Sequence, residues 1–249
     1  RTYGNGHPET LRAISNLAMV YYNRGRYAEA EPLFRESFDG LVAIHGRQHP
    51  TVLTTMHNLG LFLMRVKKLD EAEALVAEAL QHRTEVLGPE HADTLQAVKA
   101  LGEVYEAQGQ LDRALVQYQK ALVGRRKVLG DAHEDCYYTS LWVANVQHKT
   151  KQWDAVTESR RLGVELVRQV DGLAGPTVAQ SLELLGSHLL SHARRVAADD
   201  SAKAAELRRE ALPVLTEALQ LRREKAGETV DVSIWRGKSL LGEALSHVE

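Results

Sequence analysis

Residues 49–91 read HPTVLTTMHNLGLFLMRVKKLDEAEALVAEALQHRTEVLGPEH, which is one complete copy of a unit that recurs along the chain. Four histidines stand 42 residues apart and open similar phrases: His7, His49, His91 and His133. The phrase GPTV at 175–178 continues the register. Repetition at such a period is typical of a solenoid, in which each unit packs only against its neighbours. The sequence therefore predicts a repeat array with one continuous core.

Each unit contains two segments whose apolar residues recur at three- and four-residue steps, the spacing of one helix face. In the first unit the leading stripe consists of Ile14, Leu17, Ala18 and Tyr21. Gly25 follows that stripe and is placed to end a helix in the left-handed conformation. The His-Pro pairs favour a helix start, because proline lacks the N–H that would have no partner there. Each unit is therefore predicted to be a pair of helices.

One position of the repeat is always small. It is occupied by Ala18, Gly60, Gly102, Ala144 and Gly186. Small residues let two helices approach closely, so this position should mark where the paired helices press together. We expect a large side chain there to force the pair apart.

The register divides the chain into five helix pairs and a last helix. We predict repeats at about 7–48, 49–90, 91–132, 133–174 and 175–228, then a helix over 229–249. The fourth repeat is degenerate, with Gln147 and Arg160 at apolar positions. In the fifth, the second-helix phrase comes about 13 residues late. The insertion near 193–210 is expected to lengthen both helices of that pair, with a cap from Asp199, Asp200 or Ser201.

Composition excludes several classes of protein. A formal net charge of -2 and a pI near 6.6 offer no basic surface, so we predict no nucleic-acid partner. The single cysteine, Cys136, suits a reducing compartment, and we expect a cytoplasmic location. No apolar run is long enough to span a bilayer, so no membrane partner is predicted. The opening RTYGNGHPET looks like one repeat running into the next, which suggests a segment of a longer protein.

The residues at the repeat positions resemble those of the tetratricopeptide repeat (TPR) family. The matching residues of the first unit are Leu17, Ala18, Tyr21, Gly25, Tyr27, Ala30 and Phe34. The usual TPR period is ~34 residues, so 42 is a longer variety. The phrases TEVLGPEH and RKVLGDAH, with Asn16-Leu17-Ala18 and Asn58-Leu59-Gly60, are similar to kinesin light chain repeats. The resemblance implies an all-α fold, a right-handed superhelical α-solenoid of antiparallel helix pairs.

The resemblance also implies a binding face, since in this family the first helices line a concave surface along which peptides lie. The positions expected to form this groove are Arg12, Asn16, Asn23, His57, Asn58, Arg65, Lys99, Trp142, Asn145 and Lys149. Asparagine suits such a groove because an amide both donates to and accepts from a peptide backbone. The cationic side chains favour acidic peptides, and the tryptophan is a candidate aromatic anchor. The alternative is an ordinary solvated helix face.

Catalytic and metal sites are not indicated. Equivalent positions in stacked repeats lie ~10 Å apart, whereas zinc needs its ligands at ~2 Å, so the periodic histidines are interpreted as helix-start residues. A nucleophilic role for Cys136 with His133 is a third, weaker hypothesis. The sequence lacks a Gly-rich phosphate loop and an H-E-x-x-H pattern. We therefore predict no cofactor, no metal and no enzymatic activity.

Two functions from different classes follow. The first is a non-catalytic protein-protein interaction scaffold whose concave groove binds a peptide segment of a partner. The alternative is a structural or regulatory arm that mediates self-assembly or controls an attached catalytic domain. Terminal repeats without a polar cover adhere to their own copies, so a homodimer through residues 229–249 is a further expectation.

Overall fold

A computed structural model describes residues 6–171, 175–226, 240–242 and 244. All regular secondary structure of these residues is helical. The long helices are α1 (Pro8–Asn23), α2 (Tyr27–His45), α3 (Pro50–Arg65), α4 (Leu69–Leu87), α5 (Ala92–Ala107), α6 (Leu111–Leu129), α7 (Glu134–Lys149), α8 (Trp153–Asp171), α9 (Pro176–Val196) and α10 (Ser201–Ala226). The helix predicted over 229–249, with its proposed dimer surface, lies almost wholly outside the described residues.

The helices pack as sequential pairs. Within the described residues the packing forms two compact units, one ending at Val128 and one beginning at Leu129. In the first unit, α1 also touches α3, and α3 touches α5, so the first helices of successive pairs lie side by side. The predicted all-α fold of helix pairs is confirmed.

The turns within the pairs repeat one backbone conformation. Gly25 and Gly109 have φ of 73° and 77°, as the glycine pattern predicts. Lys67 and Lys151 hold the same register position and adopt φ of 65° and 60° despite their side chains. Because L-residues are strained in this region, the turn is imposed by the packing of the two helices and not by glycine alone.

The periodic histidines cap helices. His7, His49, His91 and His133 precede α1, α3, α5 and α7 in extended conformation. In each case Nδ1 accepts a hydrogen bond from the backbone N–H two residues later, at 3.2–3.3 Å. A side-chain acceptor at this place satisfies one of the free N–H groups of the first turn. The histidines are therefore the helix-start residues that the sequence indicated.

Replacing one of these caps gives a local test. His91→Ala is expected to lower the free energy of unfolding by about 1 kcal/mol, the usual worth of an N-cap hydrogen bond. His91→Asn should recover most of the loss, since its side-chain oxygen accepts the same bond. Urea unfolding followed by circular dichroism measures both. Equal stability of the alanine variant and the original chain would show that the imidazole cap contributes nothing.

The small position is where the paired helices meet. A Cβ added at Gly60 would lie 2.6 Å from Val76 Cγ2, and one at Gly186 would lie 2.5 Å from Leu215 Cδ2. Ala18 is fully buried at the same register position. Leu17, next to it, is 45% exposed, in contrast to its place in the predicted apolar stripe. The physical reason is that α1 has no earlier described helix beside it.

The fifth pair is longer than the others. Its helices α9 and α10 span 21 and 26 residues, against 16 and 19 in the first pair. Asp200 precedes α10, and its Oδ1 accepts from the backbone N–H of Lys203 at 2.8 Å. Both helices are thus extended and the second is capped, as the insertion predicts. No helix within the described ranges is long and apolar enough to cross a membrane.

Candidate functional site

A polar cleft lies between α1 and α3, the first helices of the first two pairs. Its volume is about 340 Å³. It is lined by Arg12, Ser15, Asn16, Pro50, Thr51, Thr54, Thr55 and Asn58. The predicted groove residues Arg12, Asn16 and Asn58 are therefore brought together around one opening.

Helical spacing explains this convergence. Arg12 and Asn16 are one turn apart on α1, while Thr54 and Asn58 are one turn apart on α3, so each pair projects from one face. The Thr54 hydroxyl donates to the Pro50 carbonyl at 3.0 Å and is thereby occupied. The amides of Asn16 and Asn58 have no hydrogen-bond partner among the described residues. The cleft therefore offers two amides that each donate and accept.

The predicted groove arginines of the first unit already have neighbours. Arg12 Nη1 lies 3.2 Å from Glu9 Oε1, and both side chains are more than half exposed. Exposed ion pairs contribute little, so this pair can exchange for a carboxylate of a partner. Arg65 Nε donates to Tyr27 Oη at 3.0 Å. Asn23 is exposed at the end of α1.

His57 and Lys99 form a separate, internally coupled group. Lys99 Nζ lies 2.5 Å from Glu103 Oε1, one turn further along α5. Glu103 thus provides the carboxylate that a peptide was expected to offer to Lys99. Burial raises the pKa of the Glu103 carboxyl. Burial, helped by the positive charges of Arg83 and Lys99, lowers the pKa of His57 to about 4. His57 is therefore a neutral, half-buried ring and not an open contact.

The remaining predicted residues belong to the second unit. Trp142, Asn145 and Lys149 lie on α7, where the tryptophan is half-buried and the other two are exposed. They form no part of the cleft between α1 and α3. These residues stay a prediction about the face of α7.

The repeat pattern did not reveal a ring cluster at the end of α1. Phe62 of α3 packs against Tyr22, Tyr27 and Phe34, with ring centroids 6.4, 6.3 and 5.3 Å away. Tyr22 and Tyr27 themselves are 6.0 Å apart. We call this group the aromatic cluster; it fixes the α1–α2 pair against α3. The signal that could have indicated it is the concentration of aromatic residues at these positions of two successive units.

A second cleft, of about 390 Å³, lies within the second unit. Its lining residues are Arg161, Val164, Glu165, Arg168, Gln169, Leu182, Leu185, Val214 and Glu217. Ion pairs join α8 to α10 here: Arg161 Nη2 lies 2.5 Å from Glu210, and Arg168 Nη2 lies 2.6 Å from Glu217. Because both of its arginines are paired internally, this cleft is a weaker candidate than the one between α1 and α3.

Comparisons with known proteins agree with this architecture. The tetratricopeptide repeat family is matched over residues 10–51 and 51–127. The nearly identical TPR-like repeats of a candidate kinesin light chain from Podosopora anserina superpose with a TM-score of 0.73 at 20% identity, covering 89% of this chain and 99% of that one. Comparison with curated protein sequences finds no match.

Two further solved structures share the fold. BtubC (BKLC) from P. vanneervenii has a TM-score of 0.69 at 18% identity, covering 90% of this chain and 84% of that one. MamA has a TM-score of 0.57 at 16% identity, covering 91% and 99%. At such identities these likenesses concern the fold. Residues 10–127 are therefore tetratricopeptide repeats, and the chain has the fold of kinesin light chain-like TPR proteins.

Proposed function

We propose that the chain is a non-catalytic interaction scaffold that binds an extended peptide segment of a partner protein along its first helices. TPR repeats are in general protein-interaction modules. The observation that carries the proposal is the cleft between α1 and α3, with the unpartnered amides of Asn16 and Asn58 on opposite walls. An extended peptide has free N–H and C=O groups, which such amides satisfy.

The same cleft suggests a mild preference for acidic peptides. Arg12 is the cation in its lining, and its pair with Glu9 is exposed and readily exchanged. Lys99 is less suited to this role because Glu103 holds it. The peptide carboxylate is therefore placed near α1 in this proposal.

A catalytic role for Cys136 has little support from its surroundings. The residue is fully buried, and its thiol donates to the Gly130 carbonyl at 3.3 Å. A reactive thiolate needs access and a stabilising positive environment, so this cysteine fits a structural position. We propose accordingly that the chain has no enzymatic activity and acts in the reducing cytoplasm.

The proposal is tested by removing the cleft chemistry while keeping the helices. The triple variant Arg12→Gln, Asn16→Ala and Asn58→Ala changes three side chains at the surface of α1 and α3. Affinity capture from lysate, read by mass spectrometry, is expected to recover a set of proteins with the original chain and to lose it with the variant. A peptide from a captured protein should then bind at least ~10-fold more weakly to the variant, as expected for two or more lost hydrogen bonds.

The matched control changes Gln81→Ala, Gln119→Ala and Lys120→Gln on the second helices α4 and α6. It removes one positive charge and two amides, as the cleft variant does, from exposed positions. It should retain every captured protein. Loss of the same proteins from both variants, or from neither, would contradict a role for the cleft.

One observation favours the second candidate function, a structural or regulatory arm. An exposed aliphatic residue recurs every 42 residues in the last turn of the second helices: Ile44, Val86 and Val128 are 45%, 54% and 45% exposed. A regular row of this kind is suited to contact with an attached domain. Under this function the cleft variant would keep its partners, whereas Ile44→Asp with Val86→Asp would lose them.

A further inference from the structure

The aromatic cluster of the first unit has a polar counterpart in the second. Three intervals of 42 residues, 126 in all, carry its members onto four residues of α7, α8 and α9: His148, Trp153, Arg160 and His188. The spacing of the ring centroids is similar, although the ring orientations differ. His148 lies 5.1 Å from Trp153 and 6.5 Å from His188, and Trp153 lies 6.5 Å from His188. The corresponding distances in the aromatic cluster are 6.0, 6.4 and 6.3 Å.

The four positions have become more polar, and one of them now carries a positive charge. Arg160 stands where Phe34 stands in the first unit, and its Nε is buried without a hydrogen-bond partner. Among the described residues the guanidinium forms no ion pair, in contrast to the adjacent Arg161, which holds Glu158 and Glu210. A partly buried charge without a counter-ion is unfavourable. A bound anion would therefore stabilise this charge by acting as its counter-ion.

The ring next to Arg160 in the cluster is not an acid and is held in place by hydrogen bonds. His188 is 5% exposed, and its Nε2 lies 3.1 Å from the Trp153 carbonyl and 3.0 Å from Thr157 Oγ1. A hydrogen on Nε2 donates to that carbonyl, which holds the ring in place. The N–H of the neutral ring is therefore used within the protein, so His188 shapes the cluster and leaves the anion to Arg160.

The acidic side chain next to Trp153 in sequence is already paired with a lysine. Asp154 Oδ1 lies 2.7 Å from Lys203 Nζ and 3.8 Å from His192 Nε2. Arg195 adds a further positive charge 4.1 Å above the Trp153 ring. The named charges beside the cluster are therefore positive on balance, and His148 is exposed at the edge of the cluster.

We propose that Arg160, with His148 at the exposed edge of the cluster, forms a binding site for an oxyanion, a carboxylate or phosphate group. The guanidinium donates to the anion beside the rings of this polar cluster. This site is in the second unit and goes beyond the peptide cleft, so either can fail without the other.

The full chain is titrated with sodium phosphate and, separately, with sodium acetate, at an ionic strength held constant with sodium chloride. The imidazole ¹H–¹³C NMR signals of His148 and His188 are followed, after assignment with His148→Gln and His188→Phe. We expect saturable shifts of both signals with at least one anion. The anion that binds more tightly shows whether the site prefers a phosphate or a carboxylate group. Arg160→Met should weaken that binding roughly 10-fold or more.

Arg161→Gln is the matched control, since it removes the same charge from the adjacent residue and should leave the midpoint unchanged. If the methionine variant does not fold, Arg160→Lys keeps the charge but loses the planar fork, and weaker saturable binding is expected. The proposal would be overturned if Arg160→Met bound the anion with the same titration midpoint as the original chain. It would also be overturned if the NMR shifts depended only on the chloride concentration.

Discussion

Gly102→Leu is expected to lower the free energy of unfolding by about 3 kcal/mol, the upper end of the usual range for overpacking a core. A Cβ at this position would lie 2.8 Å from Tyr118 Cε1 and 2.9 Å from Cδ1. Tyr118 is fully buried, and its hydroxyl donates to Glu106 Oε2 at 2.8 Å. The ring therefore cannot move aside without losing that bond, so α5 and α6 must separate.

Urea unfolding followed by circular dichroism measures this loss. Gln96→Leu adds the same side chain at an exposed position of the same helix and should change stability by less than about 0.5 kcal/mol. Combining Gly102→Leu with Tyr118→Val should restore part of the loss, because the clashing ring is removed. A leucine variant as stable as the original chain would mean that the small position does not set the distance between the helices.

Mild acid is expected to destabilise the second unit through His188. Burial, opposed by its bond to the Trp153 carbonyl, lowers the pKa of this ring to about 4. The unfolded value is near 6.5, so the unfolded chain binds the proton more tightly. The stability contributed by the neutral ring is complete above pH 6.5 and is lost as the pH falls from there towards 4. By linkage the loss at pH 5 is about 2 kcal/mol.

Tryptophan fluorescence isolates this effect, because Trp142, Trp153 and Trp235 all lie beyond Val128. Urea unfolding at pH 7 and pH 5 should show the loss in the original chain and a much smaller one in His188→Phe, which restores the residue of the aromatic cluster. His57→Leu removes the other strongly perturbed histidine, in the first unit, and should leave the fluorescence-detected loss unchanged. If His188→Phe lost as much unfolding free energy at pH 5 as the original chain, the acid sensitivity would come from a group other than His188.

The features that depend on neighbours in sequence were predicted correctly. His7 and His49 stand at helix starts, Gly25 has a positive φ, and Gly102 lies where its helix pair packs closely. Each is set by one turn or one helix pair, so a 42-residue pattern carries the information. The pairing of Lys99 with Glu103 is also local, at one helical turn, and could have been read from the same pattern.

The 42-residue pattern did not predict which side chains are buried by neighbouring repeats or interact with charges from them. His57 and Asn58 are adjacent in sequence, yet the first is coupled to Arg83 and Lys99 while the second opens into a cleft. Arg160 was recognised as a departure from the repeat, but its lack of a counter-ion depends on three helices at once.

The sequence by itself determined the helix pairs, their period, their caps and their points of closest approach, because a repeated local pattern fixes repeated local geometry. Only the tertiary structure decided which polar side chains are free to act. That distinction depends on the residues that adjacent helices bring within hydrogen-bond distance, and these lie tens of residues apart in the chain.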